Sequence, residues 1–276
     1  MWTGSERRYT LVTTFGLTQD MDLIDVREIR VPSSRDGLVF GVGERPLGGG
    51  TWLYSEPQPG TTGLVDLTGM GWEPIGELDA GLTISATCTI AELARQQHPL
   101  FAQCANSLLA SFKIWNVATV GGNIALALPA GPMTSLATAL SATAVIWSAT
   151  SERRMPVVDF VTGVRTNALA HDEVLRAIEI PQASLEARHG FRRIARSPLG
   201  RTGTLVTAVA GPEFTIGISG GTVRPHALSF DERPSERALL EAIGTIDDWY
   251  DDAHGSPDWR EAMSTRFALE LLEELA

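Results

Sequence analysis

Two short runs carry the residue types in this chain that could do chemistry. Gly48-Gly49-Gly50-Thr51 and Thr119-Val120-Gly121-Gly122-Asn123-Ile124 each set consecutive glycines beside a hydroxyl, and the second adds an amide side chain. Glycine tolerates positive φ and lets main chain approach a ligand closely, so such runs can aim successive backbone N–H groups at one concave point. The chemistry this suits is the holding of an anion, and two runs in one chain suit an extended anion such as a pyrophosphate. A tight helix-to-strand connection is the alternative for the second run. Gly41-Val42-Gly43 is a poorer cradle. It continues into Glu44-Arg45-Pro46, where proline defeats the helix N-terminus that a Rossmann dinucleotide site requires.

Other side chains with chemical potential are not grouped. The two cysteines, Cys88 and Cys104, cannot supply the four thiolates of a 2Fe-2S cluster, and both stand in apolar settings that suit small buried thiols. The five histidines are scattered without i,i+4 pairing, so no catalytic residue and no metal site is assigned. A net charge of -11, from 22 Lys+Arg against 33 Asp+Glu, opposes binding to nucleic acid or to anionic bilayers. No apolar run reaches the ~20 residues of a membrane span. The start, Met1-Trp2-Thr3-Gly4-Ser5-Glu6-Arg7-Arg8, leads into a threonine-rich segment instead of an apolar one, which reads as a cytoplasmic protein without a signal peptide.

The elements that must position the two runs can be read from periodicity and punctuation. At 276 residues and 43% hydrophobic, the chain has room for two domains. Residues 1–20 read as an N-terminal extension. A helical stretch from Pro32 through Val39 then leads to a short strand ending at Leu47, a Pro/Gly/Thr-rich surface loop from Tyr54 to Gly63, and a strand over Leu64–Leu67. Leu82–Ala86 is the next strand, and Thr89 with Glu92 forms a capping-box signature. Pro99 opens a helix with Leu100, Cys104 and Leu108 on one stripe, which ends before the second glycine run. Pro132 opens another, carrying Met133, Leu136, Ala137 and Leu140, followed by strands over Thr143–Ser148 and Val174–Ile180. Beyond Ala183 the texture changes to an antiparallel meander over Thr204–Ala210, Glu213–Ser219 and Val223–Phe230. A final helix, Asp258–Leu272, carries Trp259, Met263, Phe267 and Leu271 on a buried face.

With their flanks, the glycine runs resemble the FAD-binding (medium) subunit of the molybdenum hydroxylases, the carbon monoxide dehydrogenase and xanthine dehydrogenase type. Gly48 to Leu53, Val65-Asp66-Leu67, Thr119 to Ala125 and Leu128 to Gly131 carry the likeness, with Arg153 to Phe160 and Asp172 to Leu175. Phe191-Arg192-Arg193 and Asp258-Trp259-Arg260 match weaker patterns. The fold class implied is α+β: a two-subdomain FAD-binding PCMH-type domain over residues 21–181, then a C-terminal antiparallel sheet with helices over 182–276.

The resemblance implies FAD, held non-covalently. Leu47, Gly48, Gly49, Gly50, Thr51 and Trp52 of the first run, with Thr119, Val120, Gly121, Gly122 and Asn123 of the second, would hold its pyrophosphate and ribityl chain. Leu175 would lie against the flavin or adenine. Arg192 would stand near the flavin ring, or else occupy a solvated strand position. The activity implied is that of an oxidoreductase subunit which passes electrons from 2Fe-2S clusters to a terminal acceptor. Its partners would be a 2Fe-2S small subunit and a large subunit with the molybdenum cofactor, in paired heterotrimers. Alternatives are a self-contained flavin oxidoreductase of the same fold and a structural subunit without tight FAD binding. Three positions depart from the family pattern: Pro132 replaces an aspartate that grips the cofactor, Trp52 an acidic residue, and Trp115 an arginine.

Overall fold

Short strands of β-branched and charged residues open the chain as a four-stranded sheet: β1 (Arg7–Thr10), β2 (Glu28–Val31), β3 (Glu44–Leu47) and β4 (Gly63–Asp66), in the order β1-β2-β4-β3. This is a computed structural model, which describes residues 7–10 and 23–276. β2 and β3 flank β4 in parallel, and β1 pairs antiparallel at the edge. Part of the stretch expected to be an extension therefore adds a strand, and the rest of residues 1–20 lies outside the described residues. The buried Arg30 joins β2 to β3 through Glu44, with N···O distances of 3.0 and 2.8 Å. The helix expected over Pro32–Val39 is a single 3-10 turn, Arg35–Gly37. So short a piece does not recover the cost of nucleating a helix, and Arg35 instead bonds Ser148 O at 2.9 Å.

The second sheet is antiparallel. Its strands are β5 (Ile75–Leu78), β6 (Gly81–Ser85), β7 (Thr143–Trp147), β8 (Glu152–Pro156) and β11 (Val174–Pro181), in the order β5-β6-β11-β7-β8. Between β6 and β7 run five helices: α1 (Ile90–Ala94), α2 (Pro99–Ser107), α3 (Phe112–Trp115), α4 (Val120–Leu126) and α5 (Pro132–Ala139). The capping box forms as expected, Thr89 and Glu92 bonding each other's backbone N–H groups. The second glycine run, expected as a loop, is the first turns of α4. Thr119 caps it by accepting the Gly122 N–H at 3.0 Å. Every residue of α5 is buried, as befits a helix covered on all sides.

Downstream of β8 come α6 (Val157–Phe160) and a hairpin of β9 (Val161–Gly163) and β10 (Thr166–Asn167), turning at Arg165 with φ of 57°. After β11 and α7 (Gln182–Glu186), the three expected strands of the meander appear as β13 (Thr202–Ala210), β14 (Phe214–Ser219) and β15 (His226–Phe230), preceded by an unexpected fourth, β12 (Arg188–Ala195), all paired in sequence order. α8 (Glu236–Ile243) and α9 (Pro257–Glu274) complete the chain, and Phe267 and Leu271 of α9 lie in the core with Val206, Ala208 and Ile216 of the meander. α5 packs on β13 and β14, and Ser135 and Ser219 hydroxyls meet at 2.5 Å. The architecture is thus α+β, with the buried helix α5 packed between the meander and the rest. Among the described residues, no helix is long and apolar enough to cross a membrane.

Candidate functional site: a cofactor cleft

Glycine at the two runs serves first to let them touch. A Cβ on Gly49 would stand 1.7 Å from Val117 O, and one on Gly48 would stand 2.8 Å from Thr119 Oγ1. Gly50 has φ of 68°, a conformation that favours glycine. Above this junction lies a cleft of about 740 Å³. Gly48–Leu53 line one side and Thr119, Gly122 and Asn123 another, with the β9–β10 hairpin and the loop between β12 and β13 closing the rim.

The two runs present their backbones differently. Among the described residues, the N–H groups of Gly49 through Leu53 donate to no protein acceptor. In the second run the donors are taken: Val120 N by Cys88 O at 2.8 Å, Gly121 N by Ala86 O at 3.0 Å, Gly122 N by the Thr119 hydroxyl and Asn123 N by Thr119 O at 3.0 Å. Backbone donors to an anion therefore come from the first run. What the second offers the cleft is side chain and surface.

Asn123 is half committed. Its Oδ1 accepts the Met133 N–H at 3.0 Å, which caps α5 one residue after Pro132. Proline has no N–H, so Met133 is the first residue of α5 with a donor to satisfy, and Asn123 satisfies it. The departure at Pro132 is thus part of a buried helix start, and the amide nitrogen of Asn123 remains as a donor.

Three arginines reach the cleft, Arg45, Arg165 and Arg201, and no aspartate or glutamate is among its lining residues. In a chain of net charge -11 this is a local inversion of sign, suited to an anion. Trp52 lies with the Arg165 guanidinium 5.7 Å from its ring, and its indole Nε1 is buried without a partner. Leu108, Leu109, Ile114, Leu126 and Leu169 supply apolar surface.

Eight of the thirteen residues singled out from sequence line the cleft: Gly48, Gly49, Gly50, Thr51, Trp52, Thr119, Gly122 and Asn123. The other five do not border it. Leu47 packs with Val26 and Leu64, Val120 is in the core, and Gly121 abuts Ala86, where a Cβ would be 2.3 Å from the alanine Cβ. Leu175 is buried within β11, and Arg192 is held by Glu270 at 3.2 Å and Glu274 at 2.5 Å, between β12 and α9. Sequence reasoning missed the arginines. Arg45 had a signal, since it immediately precedes Pro46 and the first run, whereas Arg165 and Arg201 are brought in by distant turns. Burial pushes the Cys88 thiol up to about 12, with Glu92 adding to the shift, and holds Cys104 above the ordinary thiol range. Among the described residues no group of three or more His, Cys, Asp or Glu could hold a metal ion.

The chain belongs to the family of the FAD binding domain in molybdopterin dehydrogenase, whose model matches residues 38–183. It is 34% identical over 152 residues to the nicotinate dehydrogenase FAD-subunit of Eubacterium barkeri, a match covering 52% of this chain and 51% of that one. Over 139 residues it is 26% identical to the glyceraldehyde dehydrogenase medium chain of Sulfolobus acidocaldarius, covering 50% and 47%. The chain thus spans about half the length of the curated relatives it matches.

Two solved structures show the fold. Carbon monoxide dehydrogenase from Hydrogenophaga pseudoflava, in a form lacking the Mo-pyranopterin moiety, has a TM-score of 0.77 at 20% identity, covering 90% of this chain and 96% of that one. The reconstituted CO dehydrogenase from Oligotropha carboxidovorans has 0.77 at 22% identity, with 89% and 96% covered.

Proposed function

We propose that the chain binds FAD non-covalently in this cleft and serves as the flavoprotein subunit of a molybdenum hydroxylase-type oxidoreductase. The observation that carries the proposal is the row of unclaimed N–H groups from Gly49 to Leu53, in a cleft with three arginines and no carboxylate among its lining residues. That donor set fits a diphosphate, and the leucine and isoleucine walls fit planar rings. In this reading Gly49–Leu53 and Arg45 take the diphosphate, while Asn123 Nδ2 and Thr119 contribute beside it. FAD when bound supplies exchange between single electrons and electron pairs, so the subunit can link one-electron clusters to a terminal acceptor.

The partners proposed are a 2Fe-2S subunit and a subunit carrying the molybdenum cofactor, all in the cytoplasm. With two cysteines, both buried, this chain has no cluster ligands to offer. The domain division proposed is at Pro181, between residues 21–181 and 182–276. No His, Cys, Lys, Tyr, Asp or Glu is among the cleft-lining residues, which favours electron transfer over a self-contained oxidase needing a general acid or base. The purified chain, incubated with excess FAD and desalted, is expected to retain flavin absorbance. Loss of all flavin on desalting would overturn the proposal.

A further inference from the structure

Among the described residues, three that are not glycine hold a positive φ: Ala127, Ser141 and Arg165. Two of them meet. Ala127 ends α4 in the left-handed conformation, with φ of 53° and ψ of 41°, and its carbonyl accepts the Arg165 N–H at 2.9 Å. Asn167, on β10, donates from Nδ2 to Ala125 O at 2.7 Å, and its Oδ1 accepts the Leu169 N–H at 2.9 Å. The β9–β10 hairpin is thereby pinned to the carbonyl end of the helix that the second glycine run begins.

Local preference does not put arginine at this turn. Gly163 and Thr166 pair across two turn residues, Val164 and Arg165, and the second has φ of 57°. Glycine or asparagine is the usual occupant of such a position, because a Cβ crowds the backbone there. Such strain, imposed by the surroundings, marks a residue whose side chain is being placed. Arg165 lines the cleft, and its guanidinium lies 5.7 Å from the ring of Trp52, a member of the row of unclaimed N–H groups. Its ion pair with Glu56, at 3.6 Å, joins two groups about half exposed and contributes little in water. Glu56 is not among the cleft-lining residues. The backbone thus holds the arginine at the cleft while its charge stays weakly committed.

Resting on the FAD binding proposed above, we propose further that Arg165 is a preset clamp, which gives up Glu56 to take the cofactor diphosphate from the rim while Gly49–Leu53 take it from the wall. Because α4 fixes the hairpin in advance, less freedom is lost when the contact forms. Glu56 competes for the same guanidinium, and yields it because a diphosphate is the more highly charged partner. The strained turn is the cost of keeping that guanidinium in place.

The test is an FAD titration of the full chain followed by flavin fluorescence, for wild type, Arg165→Gly and Glu56→Gln, with urea midpoints of all three taken without FAD. Arg165→Gly removes the guanidinium but suits a φ of 57°, so its midpoint should stay near the wild-type value while FAD affinity falls about tenfold. Glu56→Gln frees the arginine and should tighten FAD binding about two- to fivefold. Unchanged FAD affinity in Arg165→Gly would overturn the clamp, as would a loss of affinity accompanied by a lowered midpoint, which would make Arg165 a prop of the fold. Unchanged or weaker binding by Glu56→Gln would also overturn it. Each of these leaves FAD binding by the wild-type chain standing. No saturable FAD binding by the wild-type chain would overturn both.

Discussion

Gly121 shows how a residue can matter for a reason other than the one its motif suggests. A glycine pair beside an anion cradle invites the view that its missing side chain makes room for a ligand, but the space at Gly121 is filled by Ala86. Gly121→Val is therefore expected to destabilise the fold by about 1 to 3 kcal/mol, as overpacking does, with a lower denaturant midpoint even when no cofactor is present. An unchanged midpoint would show that α4 and the Ala86 segment after β6 can part without cost. Asn123 separates cap from cleft. Asn123→Asp keeps an acceptor for the Met133 N–H but sets a carboxylate in a cleft that has none, so stability should hold while FAD affinity falls. Asn123→Ala removes the acceptor and should cost about 1 kcal/mol in unfolding experiments.

At the level of elements, Arg260 is the joint of the C-terminal half. Its side chain is buried on α9 and serves the start of β13, the turn after β14, and both the backbone and the Asp252 carboxylate of the loop before α9. Arg260→Met should destabilise by about 3 to 5 kcal/mol, since a buried partner set is left unanswered, and a shift under 1 kcal/mol by chemical denaturation would contradict that account. Much of the element order was legible beforehand. The capping box at Thr89, the proline starts at Pro99 and Pro132 and the four-residue stripe of α9 are local signals, and local chemistry decides them. The second glycine run misled because two glycines argue against a helix by propensity, whereas α4 is held by Thr119 and by bonds to Ala86 and Cys88. Arg165 and Arg201 were illegible for a related reason: the turns that bring them to the cleft are tertiary facts. Leu175 and Arg192 were placed by likeness alone, and the structure puts one in the core and the other in an ion-pair network.

At the scale of the molecule, the meander and the cleft-bearing part meet across α5 and at the α2–β12 contact, where His98 and His189 stack with ring centroids 4.9 Å apart. Burial, then the nearby His189, holds the His98 imidazole below its ordinary value of 6.5. A pKa lowered by folding means the unfolded chain binds the proton more readily, so stability should fall as pH drops through that ordinary value. Urea midpoints at about pH 5 and 7 check this, and His98→Phe should flatten the difference. In the proposed function, the backbone of Gly49–Leu53 and arginine hold FAD in a cleft whose lining residues include no carboxylate, within an otherwise acidic protein. The most direct test is an FAD titration of the purified chain beside Arg45→Gln, followed by flavin fluorescence. One FAD per chain, with affinity about tenfold lower in the variant, is the result expected. No saturable binding by the wild-type chain would contradict the account.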